Sequence, residues 1–74
     1  MTIDAFNYLV AVKKELEFAY NGKTYTLTYG KDDKGDYLAF GRLYDTPQRF
    51  RSAVELLNAV KLENHFLREV LLTL

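Results

Sequence analysis

The chain has no cysteine and no tryptophan, one histidine, one proline and four glycines in 74 residues. Without cysteine, neither a disulfide nor a thiolate metal site can staple so short a chain, and a lone histidine excludes the usual multi-histidine metal sites. Net charge is missing too: ten basic residues balance ten acidic ones, and neither sign collects in one half. A nucleic-acid binder carries an overall basic balance or a concentrated basic stripe, because phosphate contacts dominate its affinity, so nucleic acid is not an expected partner. Long apolar runs are absent as well. The longest uncharged one, Tyr8 to Val12, falls far short of the roughly 20 residues of a membrane span, so no membrane association is expected. No basic segment leads into an apolar stretch near Met1, nothing there reads as a secretory signal, and the cytoplasm is the default location.

What the chain does have is apolar material. Hydrophobic residues make up 49%, including six tyrosines and five phenylalanines, which bury large areas per residue. That is too much for a disordered tail, whose signature is low hydrophobicity with high net charge. Residues 1–74 fit one small domain. A chain of this size buries only about 60% of the surface it exposes when unfolded, so its core is thin and rests on apolar packing alone.

The segment Phe18 to Tyr29, FAYNGKTYTLTY, is the most legible. Asn-Gly between alternating runs is the strongest short-range hairpin signal, because both central residues of a type I′ turn take positive φ. The turn type sets the register of strands 15–20 and 23–29: Tyr20 faces Lys23, Phe18 faces Tyr25 and Leu16 faces Leu27 on one side, while Ala19 faces Thr24 and Glu17 faces Thr26 on the other. A one-residue slip would turn the whole apolar set outward. The aromatics here read as a core face and not as a binding platform.

Before the hairpin, residues 2–14 read as a helix capped by Thr2 or Asp4. Ala5, Leu9, Val12 and Leu16 follow a 4-3-4 spacing that marks a core-facing stripe. Ile3, Phe6, Tyr8, Val10 and Ala11 spread apolar surface well beyond it, which suits a helix buried on more than one side and suggests a partner. After the hairpin, residues 30–36 read as a polar glycine-rich loop and residues 37–44 as a third strand. A type I turn with Gly35 as bulge residue would send Tyr37, Ala39 and Leu43 inward, and a longer loop of even count Leu38 and Phe40; the latter pair is taken as buried. A turn at 45–48 and a short extended piece at 49–51 follow. Ser52-Ala53-Val54-Glu55 matches a capping box, starting a helix over 53–60 with Leu56, Leu57 and Val60 on its apolar face. The pattern resets near Glu63-Asn64, and a last helix carries Phe66, Leu67, Val70, Leu71 and Leu74. One continuous helix from Pro47 onward remains open, since proline is welcome at the first helical position.

The expected fold is therefore α+β: an N-terminal helix, a three-stranded antiparallel meander, and one or two C-terminal helices packed on one sheet face. The layout EFAYNGKTYTLTYG…F…SAVELL…LREV resembles short bacterial proteins built as a meander followed by C-terminal helices. The shared features are hairpin and cap chemistry, and no activity follows from them.

Residues that could carry chemistry are few. Asp32, Asp33 and Asp36 fail the spacing of a calcium loop, because Gly35 is misplaced and Leu43 stands at the twelfth position from Asp32; they read as a solvated loop. His65 has no evident nucleophile or carboxylate set, and Ser52 is a helix cap before it is a nucleophile. No glycine spacing cradles a phosphate. No catalytic, metal or cofactor site is expected, and no cofactor. The remaining cluster lies in RLYDTPQRFR, where Arg42, Arg49 and Arg51 are interleaved with Tyr44 and Phe50. Arginines among aromatics can grip phosphates, carboxylates or a protein hot spot, which makes Arg42, Tyr44, Arg49 and Arg51 the candidate partner-binding residues. Alternatively, Arg49 and Arg51 flank an inward Phe50 and merely solvate the surface. The functional expectation is a non-enzymatic interaction or regulatory module that self-associates as a homodimer or takes a protein partner. The alternative is a small-ligand or nucleic-acid binder using residues 42–51, provided their side chains converge on one surface.

Overall fold

A computed structural model describes residues 1–74. The element order is α1 (Ile3–Ala11), β1 (Leu16–Tyr20), β2 (Lys23–Asp32), β3 (Gly35–Arg42), β4 (Gln48–Phe50), α2 (Ala53–Ala59), β5 (Lys61–Leu62), β6 (His65–Phe66) and α3 (Leu67–Leu71). Strands β1 to β4 make one antiparallel sheet in sequential order, and β5 with β6 a separate two-stranded ribbon. The architecture is α+β, as expected, with four strands in the main sheet where the sequence suggested three. The extra one is the extended piece near residue 49. Its Phe50 pairs with Leu38 and is buried, and this anchors the segment to the sheet edge.

The first hairpin is built as its turn chemistry requires. Asn21 and Gly22 take φ of 49° and 76°, and the five cross-strand pairs from Leu16↔Leu27 to Tyr20↔Lys23 are those the type I′ turn sets. The polar segment 30–36 is not a loop. Strand β2 runs on to Asp32, which pairs with Gly35 across a two-residue turn at Asp33 and Lys34. The even count puts Leu38 and Phe40 on the face of Tyr29 and Leu27, and both are buried.

One face of the sheet thus carries Leu16, Phe18, Tyr25, Leu27, Leu38, Phe40 and Phe50. The rings of Phe18, Tyr25 and Phe40 stack with centroids 5.8 to 6.2 Å apart. Phe6 from α1, Leu56 and Leu57 from α2, and Leu67, Val70 and Leu71 from α3 complete a single core with these residues. No buried residue is polar, and no buried side-chain polar atom lacks a partner. On the opposite face Glu17 and Ala19 are exposed and Thr24, Thr26 and Thr28 half-buried.

The C-terminal part contains two short helices, not one continuous helix. Ser52 Oγ accepts the Glu55 amide at 3.1 Å. Glu55 reaches back one residue further than in a standard capping box, accepting from the Arg51 amide at 3.3 Å. Helix α2 ends at Ala59, and the chain reverses through a second turn in which Glu63 and Asn64 take φ of 52° and 72°. Val60 accepts the Leu67 amide at 2.9 Å, closing the ribbon onto the start of α3. His65 therefore lies in a strand and not at a helix start.

Helix α1 departs most from expectation. Thr2 caps it, its Oγ1 accepting from the Ala5 amide at 3.1 Å, but it ends at Ala11, and Lys13 turns the chain with φ 56°. The helix is not buried on more than one side. Its core stripe is Ile3, Phe6 and Val10, with only Phe6 fully buried. A single large ring buried in the core, Phe6 at 2% exposure, outweighs the regular spacing of smaller groups.

Candidate interaction surface

Turning α1 by the Ile3–Phe6–Val10 stripe points its other apolar stripe away from the core. Ala5 is exposed, Tyr8 is 67% exposed, Leu9 is half-buried and Val12 is 55% exposed. The spacing of these four, i, i+3, i+4 and i+7, gives one continuous face of a helix. Of the residues whose spacing marked them as core, Ala5, Leu9 and Val12 are thus turned outward, and only Leu16, in β1, packs against the core. Helix α3 adds apolar side chains at its end, Leu72 at 67% and Leu74 at 44% exposure. The Met1 amine donates to the Leu71 carbonyl at 2.8 Å, so the end of α3 lies beside the start of α1.

The arginine cluster is divided by the sheet. Arg42 pairs with Tyr25 at the far end of β3, on the core-facing side of the pleat. Arg49 pairs with Ala39, on the opposite side. Arg51 donates to the carbonyl of Asp36, six residues before Arg42 on β3 and roughly 20 Å away at the rise of a strand. Tyr44 stands alone in the β3–β4 connection, 95% exposed with φ 72°. The four candidate residues do not converge on one surface.

Arg49 and Arg51 instead meet Asp32, which the sequence placed in a solvated loop, and Tyr37 of β3. Arg51 grips Asp32 with both ends of its fork, at 3.0 Å to Oδ1 and 2.7 Å to Oδ2. Arg49 approaches Asp32 Oδ2 at 3.4 Å and lies over the Tyr37 ring, 4.3 Å from its centroid. The Asp32 side chain, 17% exposed, also accepts the Lys34 amide at 2.9 Å and so braces the β2–β3 turn. The Arg51 hydrogen bond, with further help from the Lys34 amide and both guanidinium charges, lowers the Asp32 carboxyl to a pKa of about 2. The same hydrogen bond raises Arg51. Asp36 turns instead toward Lys13 at 3.5 Å, so the acidic residues of this turn diverge. The register carried the missing signal: once β2 reaches Asp32, Asp32, Tyr37 and Arg49 fall on one face.

A third cluster joins the two positive-φ turns. Asn21 Nδ2 donates to Glu63 Oε2, and Lys23 Nζ lies 3.1 Å from Glu63 Oε1. These donors, Asn21 first, pull the Glu63 carboxyl below its ordinary value. Beside this junction an open cleft of about 200 Å³ is lined by Tyr20, His65, Glu69, Val70 and Thr73. His65 Nδ1 lies 3.7 Å from Glu69 Oε2, and Thr73 donates its hydroxyl proton to the Val70 carbonyl at 2.7 Å. No helix is long and apolar enough to cross a membrane. Comparison with protein-family models, with curated proteins and with solved structures finds no match to this chain.

Proposed function

We propose that the chain is a non-enzymatic protein-interaction module that self-associates, docking through the outward face of α1. The supporting observation is the exposed stripe Ala5–Tyr8–Leu9–Val12 on a helix whose opposite side already contributes Phe6 to the core. One apolar stripe anchors the helix to its own fold, and the other has no work inside the chain. Contiguous exposed apolar surface on a small protein marks an interaction site, and symmetric pairing of identical chains is its commonest use. The arginines add little to this, because Arg51 is committed to Asp32 and Arg49 to Tyr37 and Asp32.

Sedimentation equilibrium over a range of concentrations tests the proposal. The weight-average mass should rise from monomer toward dimer, and Tyr8→Lys should hold it at monomer without lowering the melting temperature, since Tyr8 is 67% exposed. A monomer at every concentration overturns it.

A further inference from the structure

Resting on that self-association, we infer its geometry: the second copy lies antiparallel along α1, with the two-fold axis passing between positions 8 and 9 of the two helices. The outward stripe is symmetric about that point. Ala5 and Val12 are equally far from it, as are Tyr8 and Leu9. An antiparallel copy sets Ala5 against the partner's Val12 and Tyr8 against the partner's Leu9, each a smaller group facing a larger one. A parallel copy stacks Tyr8 on the partner's Tyr8 and leaves a gap between the two alanines. Residue i meeting j while j meets i is what a closed two-fold interface requires.

Charge selects the same direction. Asp4 lies in the first turn of α1, and Lys13 and Lys14 follow its last turn. Lys13 reaches Asp36, but neither Asp4 nor Lys14 makes an ion pair within the chain. Antiparallel packing brings the acidic end of each helix to the basic end of the other and opposes the two helix dipoles favourably, whereas parallel packing brings like to like. The contact is small. A nine-residue helix is about 13 Å long, so the interface falls in the class below about 1,200 Å² and the dimer is weak and reversible.

The absence of cysteine makes the direction directly readable by single introduced thiols. Ala5→Cys and Val12→Cys, mixed and mildly oxidised, should give the mixed disulfide. Neither should link to itself, because like positions lie about 10 Å apart along the helices, beyond the roughly 7 Å Cα limit of a disulfide. Self-linking of Ala5→Cys, or no cross-link while sedimentation still shows a dimer, overturns the antiparallel contact and leaves self-association standing. Absence of any dimer overturns both. As a second arm, Asp4→Lys and Lys14→Glu should each raise the dissociation constant about fivefold, as expected for two symmetry-related exposed pairs, and the double variant should restore it. Failure of the double variant to restore affinity counts against the direction inferred.

Discussion

The two faces of the sheet are made by the same strands and are stabilised by different physics. On the core-facing side, Leu27, Phe40 and Phe50 are each at most 6% exposed, and their contribution scales with area removed from water. On the other side there is no apolar cluster to bury. A threonine row, a small Ala39 between Thr28 and Arg49, and the Arg51–Asp32 fork hold that surface together by discrete pairings. The difference teaches where the chain tolerates change: apolar burial is shared among many residues and fails steeply, whereas the polar pairings are local, and one of them is tuned by pH.

The largest effect should come from breaking the first face. Phe40→Ala removes a ring that stacks on both Tyr25 and Phe18, and such truncations cost about 3–5 kcal/mol. Domains have total stabilities starting near 5 kcal/mol, so this variant should keep no more than about 2 kcal/mol and unfold at a much lower urea concentration. Thr28→Ala, one position along β2 from Leu27 but on the other face, should cost less than about 1 kcal/mol. Urea denaturation of the pair measures the contrast, and equal losses would mean that the second face is also a core.

On the second face, Arg51→Ala should have an intermediate effect. It leaves Asp32 with Arg49 at 3.4 Å and the Lys34 amide, so the melting temperature should fall and the Asp32 carboxyl should rise toward its ordinary value. The sign of the pH dependence follows. Asp32 is lowered from 3.8 to about 2 on folding, so the folded chain holds its proton less tightly than the unfolded one. Its contribution is present above about pH 4 and is lost as pH falls toward 2. Asp32→Asn should flatten the melting temperature against pH in that window, with little change above it in slope. A profile unchanged by the substitution would show that the fork contributes nothing to stability.

Much of this was legible, for reasons that differ by element. The hairpin at Asn21-Gly22 could be read to the residue because positive φ at two successive positions selects Asn-Gly. The turn at Glu63-Asn64 has the same backbone signs, φ 52° and 72°, yet glutamate gives no such signal, and the β5–β6 ribbon it closes was invisible. What holds it is long-range: Leu62 is buried in the core, and Asn21 and Lys23 both reach Glu63. Strand β4 was half-visible, as an extended piece around Phe50, because three residues carry too little periodicity to assert a ladder. On α1 two apolar stripes compete, and spacing alone favoured Ala5, Leu9 and Val12. The larger ring of Phe6 takes the core position instead. The arginine cluster was legible as composition only, since sequence proximity places Arg42 and Arg49 together while the pleat places them on opposite faces.

The smallest expected effect bears on function most directly. Thr26 lies half-buried in the middle of the second face, opposite Glu17. Thr26→Lys exchanges a good strand former for a poorer one and creates a cross-strand Glu–Lys pair, two terms of opposite sign that are each below about 1 kcal/mol. The two partly cancel, so stability should shift by less than about 1 kcal/mol. A lysine there would nevertheless place a charge in the centre of any interface using this face. If the docking surface is α1, sedimentation of Thr26→Lys should show the same monomer–dimer balance as the parent chain. If dimerisation is lost while the melting temperature holds, the threonine face, and not the outward stripe of Tyr8 and Val12, is where the second copy sits.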